Sequence, residues 1–302
     1  MENRISTNRI WLELILISII GSNILSLAGM RDSFHISLIM NGIRLAYVAL
    51  LFRRGASDLR TYCSIKKPSP VWGMVFIIPV TILAFIAAQY ISSLSMIFFT
   101  NHVNGRIAGM DRRIVSMIIS SAVFPALVEE IYFRGVFLRG VGGKWKGILV
   151  TAFMFALYHM NFNQMAYSFA MGILFAAILI AADSLIIPML IHLLFNMITI
   201  GMHCYPGHPM MAFLIRAHIG PYYLFTDHFR DSSGHIITEV LAVGAGVAAS
   251  AIAVLYVLIR IWGNISGKKE KEPVFQEKWK PDLSFWLACG ICILAALLME
   301  FN

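Results

Sequence analysis

The chain has 302 residues, of which 59% are hydrophobic and 13% are charged, and its formal net charge is +8. Soluble domains carry about 25% charged residues, so the composition excludes a water-soluble globular domain and indicates a polytopic membrane protein. The basic residues lie mainly between the apolar segments. There they set membrane orientation and do not indicate a surface for nucleic acid.

Nine apolar segments are long enough, or nearly so, to cross a bilayer as helices. Helices are expected because lipid offers the backbone no hydrogen-bond partners. The first segment lacks the cleavage site of a secretory signal, so we expect it to remain as a span. We predict an all-α integral membrane helix bundle with about eight to nine transmembrane helices. The predicted segments are 10–30, 36–52, 71–99, 114–138, 147–163, 165–182, 185–201, 237–262 and 283–300.

We predict that residues 1–302 form a single membrane domain. The segments in 114–201 are its core helices, 202–236 is a polar loop, and 237–302 adds two C-terminal helices. Five histidines lie in or next to the polar loop, but their spacing lacks the close pairs of a metal site. A solvated external loop is the favoured interpretation. These histidines are His203, His208, His218, His228 and His235.

The distribution of Lys and Arg between the segments predicts the orientation of the chain. If all nine segments cross, the basic loops 53–70 and 263–282 lie on the same side as the N-terminus. This places the N-terminus in the cytoplasm and the C-terminus outside. Loop 100–113 carries three arginines and argues against this orientation.

Glu129 and Glu130 lie side by side in the fourth segment, where an ionised side chain costs about 2.5–3.5 kcal/mol to insert. Arg134 follows Glu130 by four residues, so these two side chains can pair along one helix face. Glu129 is rotated by about 100° from Glu130, so we expect it to face a different partner. For these charged groups to lie within the membrane, the fourth helix must continue past Arg134 to about Arg139.

Two other segments carry polar side chains at helical spacing. Phe155 and His159 are one turn apart in the fifth segment, and His192 and Asn196 share a face of the seventh. At about 1.5 Å per residue, Glu129, His159 and His192 lie about 15, 20 and 12 Å into their helices. These depths allow the groups to converge if the helices tilt.

Glu129 could deprotonate a water molecule held beside a histidine, since a poorly solvated carboxylate is a stronger base. His192 and Asn196 could then donate hydrogen bonds to an oxyanion. The same glutamate with His159 and His192 could instead bind zinc, although the HExxH spacing is absent. Interhelical hydrogen bonding is a purely structural alternative. A proton-relay transporter is disfavoured because no repeat halves are found.

Three motifs follow one another in separate segments: EExxxR, FxxxH and HxxxN. The set resembles the CAAX-protease and bacteriocin-processing family, also called Abi, whose members are intramembrane endopeptidases related to the Ras-converting prenyl-protein protease. The resemblance covers about residues 114–201, and no motif position departs from the pattern. The motif positions are Glu129, Glu130, Arg134, Phe155, His159, His192 and Asn196.

The resemblance implies roles for the motif residues. Glu129 would activate the water with help from His159, while His192 and Asn196 would stabilise the tetrahedral intermediate. The family is called a metalloprotease family, but a metal-free glutamate mechanism is also argued for it. Zinc bound by Glu129, His159 and His192 is therefore an alternative. The supporting residues that it implies are Glu130, Arg134 and Phe155.

The resemblance also implies the surroundings of the protein. The expected substrate is a membrane-associated peptide or a lipidated protein, membrane lipid is the other partner, and no nucleic acid is involved. Compactness and the lack of a targeting segment favour a bacterial plasma membrane. The alternative from a different functional class is a non-catalytic immunity or scaffold protein of the same family.

Overall fold

The computed structural model contains helices, turns and irregular segments, and no strand in the part of the chain it describes. Most of the predicted loops 100–113 and 202–236, and of the charged linker 263–282, lies outside that part. The described residues are 6–53, 58–68, 71–100, 102, 114–142, 144–205, 207–209, 238–266 and 279–301.

The described residues form an all-α bundle, as the sequence predicts. In these residues, seven helices are long and apolar enough to cross a membrane, and two more, α6 and α8, are apolar but shorter. The two short helices come from the fifth and seventh predicted segments. The helices are α1 (Thr7–Leu27), α2 (Ser33–Arg53), α3 (Leu59–Tyr62), α4 (Ile77–Ser95), α5 (Ile114–Val141), α6 (Lys144–Tyr158), α7 (Phe162–Ala182), α8 (Ile186–Cys204), α9 (Thr238–Ile265) and α10 (Leu283–Phe301).

Two predicted boundaries are wrong. The overlong segment 71–99 begins with a 3₁₀ turn, Val71–Phe76, and α4 follows it. The fifth segment was predicted to run to residue 163, but α6 ends at Tyr158. Met160 follows in the left-handed backbone conformation. Asn161 then caps α7, because its side chain accepts a hydrogen bond from the backbone N–H of Gln164. Apolar residues on both sides conceal this cap in a hydropathy pattern.

The fourth predicted helix is one continuous element that extends beyond its expected end. It was predicted to continue past Arg134 to about Arg139, and α5 runs to Val141. It is not a regular α-helix, because π-helical segments occupy Ile119–Val123 and Ile131–Phe137. Such segments are frequent at functional sites.

Pro125 explains the first π-helical segment. Proline has no N–H to donate, and its ring clashes with the carbonyl four residues earlier, which here belongs to Ser121. The distortion is stabilised from a neighbouring helix, since the Ser37 hydroxyl of α2 donates to the Ser120 carbonyl at 3.3 Å. This contact joins α2 to the N-terminal half of α5.

The helix α7 is surrounded by other helices: it packs against α4, α6, α8 and α9. Its approach to α6 requires glycine, because a Cβ atom at Gly172 would lie 2.7 Å from the Cα of Ala152. On the other side of α5, Trp11 of α1 meets Phe133 and Phe137 edge-on at 6.1 and 5.9 Å between ring centroids. The motif-bearing helices are therefore held on both sides.

The segment between α2 and α4 closes one end of the bundle. Its Ser64 carbonyl accepts from the backbone N–H of Leu185 at 3.0 Å, and its Ser64 hydroxyl contacts the guanidinium of Arg139. Burial raises the pKa of the Cys63 thiol to about 12, so this thiol is neutral at physiological pH. It packs closely against Gly135, where a Cβ atom would lie 2.6 Å from the sulfur.

Candidate active site

One cavity of about 510 Å³ brings the three sequence motifs together. Helix α5 contributes Glu129, α6 contributes Phe155, and α8 contributes His192 and Asn196. His159 also lines the cavity, from the connection between α6 and α7 and not from inside a helix. The predicted convergence of the motifs is therefore present in the structure.

Glu130 lies behind the cavity wall in a buried cluster of charges. Its Oε1 atom accepts hydrogen bonds from Nη1 of Arg134 at 3.0 Å and from Nδ1 of His192 at 2.9 Å. The three side chains are 0%, 2% and 7% exposed. The predicted pairing of Glu130 with Arg134 is confirmed, whereas its bond to His192 was not predicted. Because an ionised carboxylate only accepts, Nδ1 of His192 carries the proton.

Two aromatic rings enclose the guanidinium of Arg134. Its central carbon lies 4.2 Å from the ring centre of Phe155 and 5.0 Å from that of Phe175. Its Nη2 atom donates to the Gly172 carbonyl at 3.5 Å. The Phe175 ring also stacks on His192, with centroids 5.1 Å apart and planes at 28°. Cation–π contacts are worth about 0.5–2 kcal/mol when desolvated, so these rings stabilise the buried charge.

Glu129 faces the cavity. Its side chain is 14% exposed, and its Oε2 atom lies 3.8 Å from Nε2 of His192. This distance is too long for a direct hydrogen bond, and Oε2 has no hydrogen-bond partner among the described residues. Both nitrogens of His192 therefore face carboxylates: Nδ1 is bound by Glu130, and Nε2 is directed toward Glu129.

His159 is oriented by the end of the helix that precedes it. Its Nδ1 atom is 2.8 Å from the Phe155 carbonyl, to which it donates, and the two rings meet edge-on at 4.8 Å. In the neutral ring, Nε2 is then the proton acceptor. The prediction that His159 lies within a helix is wrong, since α6 ends one residue before it. The turn nevertheless brings it to the cavity.

Asn196 lies one turn after His192 on α8, and both line the cavity. Between them, Phe195 packs against Phe85 of α4 with ring centroids 5.2 Å apart. The shared face of α8 that the spacing predicts is therefore present, and Phe195 lines the same cavity.

The zinc alternative depends on where its donor atoms lie. Among the described residues, no group of three or more His, Cys, Asp or Glu side chains is placed to hold a metal ion. The Nδ1 contacts of His192 with a carboxylate and of His159 with a carbonyl do not count against zinc, because metal-binding histidines make the same contacts. Zinc bound by Glu129, His159 and His192 therefore stays a prediction, and no step below passes through a metal.

The site also contains residues that were not predicted from the sequence, among them Phe175 and Arg44. Phe175 gives no signal, because it is one apolar residue in an apolar segment. Arg44 of α2 also lines the cavity, and it does give a signal. It is a charge within the second apolar segment, the same feature that identifies Glu129.

The core of the chain matches a known protein family. Residues 111–198 match the family model described as type II CAAX prenyl endopeptidase, Rce1-like. The matched range contains every residue of the three motifs. Comparison with curated proteins and with solved structures gave no match. The family match and the apolar helices together support an integral membrane protease of the CAAX type in general.

Proposed function

We propose that this chain, whose residues 111–198 match the Rce1-like family of CAAX prenyl endopeptidases, hydrolyses a peptide bond with a water molecule activated by Glu129. The substrate is a peptide or a lipidated protein that enters the cavity from the membrane. One observation carries the proposal. Glu129 has an oxygen without a described partner, 3.8 Å from Nε2 of His192, inside a cavity.

Glu129 and His192 line the same cavity, so a water from the cavity can bridge them once the buried Oε2 atom of Glu129 turns toward it. Hydrogen bonds between heavy atoms measure about 2.7–3.0 Å, so one water can contact two atoms that are 3.8 Å apart. Glu129 takes a proton from this water as its oxygen attacks the carbonyl carbon of the scissile bond. The protonated Glu129 then returns the proton to the leaving amine, so that water is consumed and no group remains on the enzyme.

The protonation of His192 determines its role. Since Nδ1 carries the proton bound to Glu130, Nε2 can donate to an oxyanion only when the ring is an imidazolium. Its Nδ1 atom is held by Glu130, which also pairs with Arg134, and its Nε2 atom is directed toward Glu129. Asn196 supplies the second donor to the oxyanion.

His159 assists by orienting the attacking water. Its Nδ1 atom is held at the Phe155 carbonyl, and the residue lines the same cavity as Glu129. The ring is therefore fixed at the edge of the cavity where the water is activated.

The proposal is tested by peptide cleavage in liposomes. The full chain is purified, reconstituted and incubated with a peptide library, and products are identified by mass spectrometry. We expect Glu129→Gln to lower cleavage by about 10²- to 10⁴-fold, the usual contribution of a general base. The matched control is Glu13→Gln, because Glu13 is a carboxylate in α1 that contacts Tyr47 and does not line the cavity.

Two results would contradict the proposal. Full cleavage by the Glu129→Gln protein would exclude this residue as the base. If the native protein cleaves no peptide and the substitution lowers only its abundance, the non-catalytic scaffold alternative is correct.

A further inference from the structure

A basic residue from outside the family-matched range lines the same cavity. Arg44 lies in α2, eleven residues after Ser33 and nine before Arg53. At about 1.5 Å per residue it is about 16 Å from one end of the helix and 14 Å from the other. A charge at that depth is costly and marks a functional site by default.

The described partners of the Arg44 guanidinium are neutral. Its Nε atom donates to the Ser18 hydroxyl at 3.2 Å, and its Nη1 atom donates to Oδ1 of Asn41 at 3.1 Å. Its central carbon lies 5.7 Å from the ring centre of Tyr158. Among the described residues no carboxylate forms an ion pair with it, in contrast to Arg134. The guanidinium has five N–H donors, so the partners described for it leave part of its capacity for a ligand.

A hydrogen bond places Arg44 level with the proposed catalytic residues. The Tyr132 hydroxyl donates to the backbone carbonyl of Arg44 at 2.7 Å, and Tyr132 is 1% exposed. Since Tyr132 lies less than one turn after Glu129 on α5, this bond holds the two cavity walls at the same depth. Arg44 and Glu129 are therefore parts of one site.

The cavity lining from α1 and α2 is polar around this arginine. Except for Ile19, each of these lining residues carries a hydroxyl, an amide or a guanidinium. Such a wall solvates an anion and the polar backbone of a peptide, and it does not suit a hydrocarbon chain. The polar lining residues are Ser18, Ser22, Ser37, Asn41 and Arg44.

We propose that Arg44 binds a carboxylate of the substrate and so determines which peptide bond reaches Glu129. This inference rests on the proposed function. A planar guanidinium recognises a carboxylate through two parallel hydrogen bonds. In a peptide, that carboxylate is either the free C-terminus or an acidic side chain near the scissile bond. Both sources offer the same chemistry to the cavity.

The test uses matched peptides and the full chain in liposomes. The library peptide that is cleaved best is made with a C-terminal carboxylate and with a C-terminal carboxamide. A second pair has each acidic side chain kept or replaced by its amide. A charge-assisted hydrogen bond corresponds to about 10- to 100-fold in affinity. We expect the native protein to prefer the carboxylate member of one pair by that factor in kcat/KM, mainly through KM.

Variants of Arg44 assign this preference to the side chain. Arg44→Gln is expected to remove the preference, and Arg44→Lys to keep part of it, because lysine retains the charge without the fork. The matched control is Tyr47→Phe on the same helix. It removes a contact with Glu13 of α1 and no part of the cavity lining, so the preference should stay. Size-exclusion chromatography checks that each variant is folded. If the Arg44→Gln protein is not folded, the preference of the Arg44→Lys protein decides whether Arg44 binds the carboxylate.

The possible outcomes separate this inference from the proposed function. Loss of the C-terminal preference or of the side-chain preference supports the role of Arg44 and identifies the source of the carboxylate. Equal loss of cleavage for both members of each pair contradicts it, since Arg44 would then serve only the fold or the charge of Glu129. Cleavage that needs Glu129 but ignores carboxylates overturns the inference alone. Absence of any Glu129-dependent cleavage overturns the proposed function as well.

Discussion

Glu129 and Glu130 are adjacent and chemically identical, yet they lie in opposite environments. The buried cluster of Glu130, Arg134 and His192 is packed between aromatic rings, and one oxygen of Glu130 accepts two hydrogen bonds. The Oε2 atom of each glutamate lacks a described partner, but of the two only Glu129 lines the cavity, with a side chain that is 14% exposed against 0% for Glu130. The buried cluster is built as a support, whereas the cavity side retains the capacity to bind and to react.

His192 connects these two regions. One of its nitrogens is bound in the buried cluster, and the other is directed toward the cavity. A rigid support beneath a reactive group is expected where a catalytic geometry must be held within a fraction of an ångström. The difference between the two glutamates is therefore a division of labour within one helical turn.

Replacing His192 should have the largest effect, because it removes a part of both regions. We expect His192→Ala to lower cleavage by about 10²- to 10⁴-fold and the free energy of unfolding by about 1–3 kcal/mol, since Glu130 loses a buried partner. Cleavage in liposomes and thermal unfolding in detergent measure the two effects. His159→Ala is the comparison: it should lose cleavage and keep its stability. A stable His192→Ala protein would show that the buried cluster does not need this residue.

Breaking the ion pair should affect stability most. Arg134→Met leaves Glu130 as a buried charge bound only to His192, so we expect the free energy of unfolding to fall by about 3–5 kcal/mol. Arg139→Met is the control on the same helix, because Arg139 contacts Ser64 and the ring of Tyr62 and forms no ion pair with a carboxylate of the described residues. An unchanged unfolding temperature for Arg134→Met would contradict the assignment of this cluster as the support.

Asn196 tests the cavity side alone. We expect Asn196→Ala to lower kcat by about 10²- to 10³-fold, the usual contribution of one oxyanion donor, with no change in unfolding. Thr199→Val is the matched control, since Thr199 lines the same cavity and its hydroxyl donates to the Phe195 carbonyl. An equal loss of cleavage in both variants would indicate a general change in the cavity.

Phe175 should give the smallest effect. Phe175→Leu keeps an apolar side chain but loses the stacking on His192 and the contact with Arg134, which are worth about 0.5–1.5 kcal/mol. Thermal unfolding measures the loss. Phe85→Leu is the comparison, because it removes a buried ring that packs against Phe195. If both variants lower the unfolding temperature by the same amount, the Phe175 ring stabilises the protein only through apolar packing and not through its contacts with His192 and Arg134.

Much of the fold could be predicted from the sequence because membrane helices are encoded locally. Apolar length identifies the spans, and the requirement to bring Glu129 to the depth of the histidines predicts that α5 continues past Arg134. The pairing of Glu130 with Arg134 follows from a spacing of four residues and survives although Arg134 lies in a π-helical segment. The end of α6 was misplaced because a cap at Asn161 depends on backbone conformation, which hydropathy does not report.

The sequence by itself determined that the protein is a helical membrane bundle, which polar groups lie among its apolar segments, and which of the two acids pairs with Arg134. Only the tertiary structure decided that His192 bonds to Glu130, that Phe175 covers this cluster, and that Arg44 lines the cavity. The reason is that the first set depends on composition and on spacing within one helix. The second set depends on how α2, α5, α7 and α8 pack, and residues far apart in the chain become neighbours only through that packing.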